Sequence, residues 1–150
     1  MLLIDFQKAF DSVEWNFLDG ALKFFNFGES MRWWVKTFYK NINSSVLYNG
    51  HCSNSFSVSR GVRQGDPLSP YLFIICAELL ANAIKQNGQI NGITVNNEEF
   101  LLGQYADDTF FLLDGTQTSL SQCLHTLELF GECSGLKVNV EKNKGCMAGW

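Results

Sequence analysis

Apolar and polar residues follow one another along the chain in patterns that predict both strands and helices. Residues 1–4 form a continuous apolar run, which is typical of a strand buried on both faces. The next apolar positions recur every three or four residues, as on one face of a helix. Asp11 or Ser12 would cap this helix, and Gly28 stands where it would end. The apolar positions are Trp15, Leu18, Leu22 and Phe25.

A second helix is predicted from about residue 30 to residue 42. Its apolar stripe consists of Met31, Trp34, Val35, Phe38, Tyr39 and Ile42. Arg32, Lys36 and Lys40 recur every four residues on another face. Such a basic stripe could follow a phosphate backbone, but a solvated helix face is the better interpretation.

Two further helices are predicted later in the chain. Ser69 as N-cap and Pro70 at the first helical position open a long helix that reaches about Gln86. This helix is apolar over a wide arc, which favours a central position in the core. A last amphipathic helix spans about residues 120–130 and ends near Gly135.

The remaining apolar segments are short and predict hairpins. Strands are expected around turn-rich stretches, and Asn96-Asn97 is a hairpin signal. The expected strands are residues 45–48, 56–59, 93–95 and 100–102, and residues 104–113 are strand-like as well. Together with the helices they indicate an α+β fold, a mostly antiparallel sheet with helices packed on one face.

Length and composition support one domain with a substantial core. The chain has 150 residues, of which 46% are hydrophobic and 14% aromatic, so a disordered tail, a collagen-like fibre and a coiled coil are excluded. The 13 Phe and 4 Trp imply a large buried area or a face made for a partner. A net charge of −4 argues against a free-standing nucleic-acid binder.

The cysteines give no sign of a zinc site or a disulfide framework. Their number is odd, no C-x-x-C occurs, and the two histidines lie in unrelated segments. Reduced thiols in a reducing compartment are expected, so we expect an intracellular protein, nuclear or cytoplasmic. No signal peptide or membrane-spanning stretch is visible, and no membrane partner is expected. The cysteines are Cys52, Cys76, Cys123, Cys133 and Cys146.

Three aspartates carry the clearest chemical signal. Asp107 and Asp108 interrupt an apolar segment, where two adjacent carboxylates are costly to bury. A turn would place both at a hairpin tip, and Asp5 ends a separate apolar strand. If the strands are neighbours, three hard oxygen donors converge, a set that suits Mg²⁺ and two-metal phosphoryl transfer. The alternative is structural, because Asp-Asp is common in turns and Asp often caps helices.

The loop at residues 60–67 is the second candidate. It places Arg63, Gln64 and Gly65 before a helix N-terminus, where backbone N–H groups and the arginine could meet a phosphate or a nucleotide edge. An ordinary loop with glycines at positive φ remains the alternative. Phe10 is either a core residue or a wall of the same pocket.

Four segments, in order, resemble the motifs of the reverse transcriptase of non-LTR (LINE-type) retrotransposons. They are residues 5–13, residues 60–70, residues 105–108 and residues 134–139, the last followed by Lys142. The resemblance implies a right-hand polymerase palm with a ferredoxin-like core. It also implies an RNA-directed DNA polymerase that extends a DNA primer on an RNA template from dNTPs.

The resemblance assigns roles to individual residues. Asp5, Asp107 and Asp108 would bind two Mg²⁺ ions, which Mn²⁺ could replace, and the Phe6 carbonyl would assist. Phe10 matches the aromatic gate that excludes a 2′-OH.

The remaining assignments concern the substrates. Gln64 and Gly65 match positions beside the incoming nucleotide and the template, and Tyr105 and Ala106 match the floor under the primer end. Lys142, rather than Lys144, is the candidate general acid.

The resemblance also implies that residues 1–150 are a partial reverse transcriptase domain, a palm whose fingers would lie upstream and whose thumb would lie downstream. Most of the basic surface that binds phosphates would then be missing, so we expect the isolated chain to be weakly active or inactive. The alternative is a degenerate, non-catalytic remnant that acts at most as a binding domain. A Mg²⁺ phosphohydrolase would leave residues 60–70 without a role.

Overall fold

The computed structural model describes residues 1–139, which form helices and antiparallel strands. The strands are β1 (Leu2–Ile4), β2 (Asn43–Ser44), β3 (Leu47–Tyr48), β4 (His51–Cys52), β5 (Phe56–Ser57), β6 (Ile93–Val95), β7 (Glu98–Phe100), β8 (Leu102–Tyr105) and β9 (Asp108–Phe111). The helices are α1 (Ala9–Ser12), α2 (Trp15–Phe24), α3 (Glu29–Phe38), α4 (Ser69–Gln86) and α5 (Gln117–Ser134). The predicted α+β content is confirmed.

The main sheet has the strand order β1-β9-β8, and both pairs are antiparallel. In the first pair Ile4 lies opposite Thr109, and in the second Tyr105 lies opposite Asp108. The chain beyond α5 returns beside the segment that follows β1, where Phe6 forms a bridge with Val138. The backbone of residues 5–7 therefore lies next to that of residues 137–139.

One face of the sheet packs on helices and the other is open. Leu2 is 6% exposed and Ile4 is 4% exposed, whereas Leu3 between them is 39% exposed. The prediction that this strand is buried on both faces is therefore wrong. On the open face Phe110 lies opposite Leu3 and covers Gly103 of β8. The apolar run predicted burial of both faces because Leu3, the exposed residue, is also apolar.

The core lies between the sheet and helices α2, α4 and α5, which contact one another. The predicted helices at 69–86 and near 120–130 are confirmed. The start of α4 differs from the prediction. Leu68 is the N-cap residue, so Ser69 is the first residue of the helix and Pro70 is the second. Ser69 is buried, and the Asp66 carboxylate accepts the Leu68 N–H at 2.9 Å instead.

Helix α2 also begins later than the predicted cap. Glu14 precedes its first residue, and Asp11 and Ser12 belong to the short helix α1. A helix of four residues is too short for its apolar positions to show a helical period. The last helix is capped as such helices commonly are. The Thr116 side chain accepts the Ser119 N–H at 3.2 Å, and Gly135 at φ 81° ends the helix.

Helix α3 buries a narrower face than its apolar stripe predicts. The helix ends at Phe38, four residues before the predicted end. Val35 in the helix and Tyr39 and Ile42 beyond it are buried, but the other members of the stripe are at least one-third exposed. These exposed members are Met31, Trp34 and Phe38. The face is apolar beyond what the rest of the described chain covers.

The prediction that the basic stripe on α3 is a solvated face is wrong for two of its three residues. Asp19 of α2 accepts hydrogen bonds from Arg32 at 2.7 and 2.8 Å and forms an ion pair with Lys36 at 2.9 Å. The Arg32 hydrogen bonds, opposed by partial burial and aided by Lys36, lower the pKa of Asp19 to about 2. Two of the three basic residues therefore join α3 to α2.

The short strands form hairpins, as predicted, but the first region has four strands where two were predicted, and β4 lies in the stretch that was predicted to be a turn. Strands β2 and β5 enclose β3 and β4 in one long hairpin. Strand β7 begins at Glu98, two residues before the predicted strand, because Asn96 and Asn97 at φ 51° and 66° make a two-residue turn.

The described cysteines are free thiols, as expected. Burial raises the pKa of Cys76 and that of Cys123 to about 12. No helix in the described part of the chain is long and apolar enough to cross a bilayer.

Candidate active site

The acidic doublet lies at the tip of the hairpin between β8 and β9. Tyr105 pairs with Asp108, so Ala106 and Asp107 are the two turn residues. Ala106 has a φ of 53°, a conformation that costs a residue with a Cβ roughly 1–2 kcal/mol. Glycine is the usual residue at such a position. This tight turn brings the two aspartates to one end of the main sheet.

Asp5 reaches the same end of the sheet from the neighbouring strand. It directly follows Ile4, whose partner in β9 is Thr109. Continuing that antiparallel register by one position places Asp5 opposite Asp108. Directly opposed residues in antiparallel strands have Cα atoms about 4.5–5.5 Å apart. The predicted neighbourhood of these strands is therefore present in the fold.

The side chains are not gathered as closely as their backbone positions. Among residues 1–139 no group of three or more His, Cys, Asp or Glu side chains could hold a metal ion as it stands. The register of β1 on β9 brings the backbone positions of Asp5 and Asp108 to one end of the sheet, with Asp107 in the adjoining turn. The donor set consists of carboxylate oxygens alone, which fits Mg²⁺ or Mn²⁺ and not Zn²⁺.

The Asp5 side chain is held from the side away from the hairpin. It is half-buried, and its Oδ2 accepts a hydrogen bond from Asn139 Nδ2 at 3.0 Å. The Asp5 carbonyl also accepts the Asn139 N–H at 2.8 Å. Sequence reasoning did not single out Asn139, although it lies in the segment that resembles the fourth motif.

The loop at residues 60–67 packs against the segment that follows Asp5. Val62 N–H donates to the Phe10 carbonyl at 2.7 Å, and Gly61 N–H donates to the Val13 carbonyl at 2.8 Å. The Trp15 indole donates to the Gly61 carbonyl at 2.8 Å. Two segments that resemble the first and second motifs are thus one packed unit.

Phe10 and Gln64 lie on this unit. The half-buried ring of Phe10 stacks on Phe73 of α4, with ring centroids 4.8 Å apart. Gln64 is exposed and donates to an Asp11 carboxylate oxygen at 3.3 Å. Arg63 and Gly65 are exposed as well.

The sequence of the chain matches a known family almost from end to end. The profile of the family described as reverse transcriptase (RNA-dependent DNA polymerase) covers residues 1–148. The chain belongs to the reverse transcriptase family. Its relatives include proteins of non-LTR retrotransposons, as the resemblance predicted.

Three relatives illustrate the range of this match. The Transposon TX1 uncharacterized 149 kDa protein of Xenopus laevis is 27% identical over 150 residues, which cover 99% of this chain and 11% of that protein. The Pol polyprotein from type-2 retrotransposable element R2DM of Drosophila melanogaster is 30% identical over 142 residues, 93% of this chain and 13% of that protein. The uncharacterized mitochondrial protein AtMg01250 of Arabidopsis thaliana is 43% identical over 68 residues, 42% of this chain and 56% of that protein.

The chain thus spans little more than a tenth of the length of the first two proteins.

The remaining candidate residues differ in their exposure. Tyr105 is 83% exposed, Ala106 is exposed, and Phe6 is buried at 5%. The bonds beside Phe6 are made by its neighbours Asp5 and Gln7, so its carbonyl takes no part in them. Lys142 lies outside the described residues.

Proposed function

We propose that the chain is the palm portion of an RNA-directed DNA polymerase, with a ferredoxin-like core. It would transfer a nucleotide from a dNTP to the 3′-OH of a DNA primer on an RNA template. The observation that supports the proposal is the pairing of β1 with β9, whose register leads, one position beyond Ile4 and Thr109, to Asp5 and Asp108. Fingers and thumb segments are proposed as partners, since the relatives are several times longer.

Asp5, Asp107 and Asp108 are proposed to hold two Mg²⁺ ions. Bound there, such ions stabilise the attacking hydroxyl oxygen and the leaving pyrophosphate of the displacement. The chain supplies the oxygen ligands from two adjacent strands of a packed sheet, so the spacing of their backbone atoms is fixed before any substrate arrives. This preorganisation lowers the cost of orienting the reacting groups.

Other residues are proposed to position the substrates. The Phe10 ring is held by its stack on Phe73 and is suited to crowd a ribose 2′-OH. Gln64 and Gly65 would contact the incoming nucleotide and the template, with Arg63 meeting phosphate at the approach to α4.

The primer end would rest on Tyr105 and Ala106 at the hairpin tip. A general acid would protonate the departing pyrophosphate, and Lys142 is proposed for that step.

Binding of Mn²⁺ to the 150-residue chain tests the proposal. We expect saturable binding, measured by the paramagnetic resonance signal of free Mn²⁺. At a metal concentration ten times its Kd, the fold gains about 1.4 kcal/mol, which raises the Tm by roughly 3–6 °C for a chain of this size. Asp107→Asn should abolish both effects.

The control variant is Glu98→Gln, which removes the same charge from an exposed site on β7 and should bind Mn²⁺ as the wild type does. Failure of the folded wild-type chain to bind Mn²⁺ would contradict the proposal and favour a non-catalytic remnant. In primer extension we expect little activity from this chain alone, because phosphate contacts supply much of the affinity for nucleic acid.

A further inference from the structure

Asn139 lies beside Asp5 at the edge of the main sheet. Its backbone N–H donates to the Asp5 carbonyl, and Gln7 N–H donates to the Lys137 carbonyl, both at 2.8 Å. Backbone groups make these bonds, so every residue type except proline at position 139 can keep them. The position of residue 139 beside Asp5 is therefore independent of its side chain.

The segment that carries Asn139 is anchored firmly. Gly135 turns the chain at φ 81°, and Leu136 is buried at 1% exposure. The Ser134 carbonyl accepts the Glu14 N–H at 2.9 Å. The end of α5 is thus tied to the segment before α2, and the strand-like stretch that follows has a fixed starting point.

The side chain of Asn139 adds a second bond, from Nδ2 to Asp5 Oδ2 at 3.0 Å. Both residues are half-buried, so bulk water screens this bond less than it screens a fully exposed one. An ionised carboxylate has about four lone-pair positions. Asp5 can therefore accept the amide and coordinate a cation at the same time.

The chemistry of an amide suits this place. Asp108 lies across from Asp5 when the register of β1 on β9 is continued by one position, and two neighbouring carboxylates repel each other unless a cation lies between them. A neutral donor fixes the direction of the carboxylate without adding a positive charge. A lysine or an arginine at position 139 would form an ion pair with Asp5 and compete with a divalent cation.

We propose that Asn139 is a positioning residue whose side-chain amide holds the Asp5 carboxylate in the orientation that coordinates a divalent cation. The inference rests on the proposed function, because it assigns Asn139 to the same metal site. Groups that orient metal ligands commonly change metal affinity 10–100-fold when removed.

The test compares the Mn²⁺ affinity of Asn139→Ala, Gln7→Ala and the wild-type chain, with the paramagnetic resonance signal of free Mn²⁺ as readout. Gln7→Ala is the matched control, because it deletes an exposed amide from the same backbone bridge. We expect Asn139→Ala to weaken Mn²⁺ binding about tenfold or more. Gln7→Ala should stay within about twofold of the wild type.

A double mutant shows whether Asn139 acts through Asp5. Asp5→Asn should weaken binding strongly, and adding Asn139→Ala to it should produce no further loss. Independent, additive losses would contradict a positioning role. Circular dichroism in EDTA checks the fold, and Asn139→Ser replaces the alanine variant if that one does not fold.

The outcomes separate this inference from the proposed function. If the wild-type chain binds Mn²⁺ and Asn139→Ala binds it equally well, the positioning role is wrong and the metal site stands. If the folded wild-type chain binds no Mn²⁺, the proposed function fails and the inference fails with it. A tenfold loss in Asn139→Ala alone supports both.

Discussion

Thr109, next to the candidate site, has a buried hydroxyl group that is not hydrogen-bonded within the described residues. It follows the acidic doublet along β9 and is 2% exposed. Its Oγ1 is buried and has no hydrogen-bond partner in the part of the chain that the structure describes. An unsatisfied buried hydroxyl costs about 1–3 kcal/mol. The hydroxyl therefore destabilises the strand that presents Asp108.

Replacing Thr109 with valine should stabilise the protein by about 1 kcal/mol, since it removes the unpaired hydroxyl and keeps the shape. Urea denaturation measures the change. Thr126→Val is the control, because the Thr126 hydroxyl donates to the Gln122 carbonyl at 2.9 Å and accepts from Asn87 at 3.4 Å. The control should lose about 1 kcal/mol. Equal losses in both variants would show that Thr109 has a hydrogen-bond partner.

The loop at residues 60–67 shows how an element is fixed by a close approach between backbones. Gly61 has a φ of 90°, and a Cβ added there would lie 2.8 Å from the Asp11 carbonyl oxygen. Gly65 has a φ of 86°, but a Cβ added there would meet nothing within 4 Å. Both glycines have a positive φ, but only Gly61 has close neighbours. Comparing alanine substitutions at the two positions therefore distinguishes the cost of the backbone conformation from the cost of the steric clash.

Gly61→Ala should destabilise the protein by about 3 kcal/mol, the sum of a left-handed conformation and a backbone clash. Gly65→Ala, the matched control, should cost only about 1–2 kcal/mol from its conformation. Both values come from urea denaturation. If the two variants lose the same stability, the loop does not pack against Asp11 as closely as the structure has it.

At the scale of the whole molecule, residues 1–139 leave an apolar surface uncovered along α3. Phe27, Met31, Trp34 and Phe38 are spaced four, three and four residues apart and are 36–53% exposed. Contiguous exposed apolar surface of this kind promotes association. Of the two alternatives for the aromatic content, a large buried area or a face made for a partner, these residues belong to an exposed face.

We expect the isolated chain to associate as its concentration rises, with the sedimentation coefficient increasing in analytical ultracentrifugation. Trp34→Ser combined with Phe38→Ser should shift the chain toward monomer. Leu124→Ser combined with Leu129→Ser is the control, because these exposed leucines lie five residues apart on different sides of α5. A wild-type chain that stays monomeric at high concentration would refute the prediction.

The sequence by itself determined the elements whose signals are local. Long apolar periodicity predicted α4 and α5, and a pair of asparagines predicted the hairpin between β6 and β7. The interrupted apolar segment predicted a turn at the acidic doublet, which the structure has one residue earlier, at Ala106 and Asp107. These features depend on residues close together in the chain, whose spacing and backbone preferences can be read directly.

Only the tertiary structure decided which surfaces are covered and which strands are neighbours. It exposed Leu3 and part of the α3 stripe, tied Arg32 to Asp19, and brought Asn139 to the side of Asp5. The physical reason is that burial, strand register and hydrogen-bond partners arise from contacts between residues far apart in sequence. Apolar periodicity shows which face of an element is apolar, but it does not show whether another part of the chain covers that face.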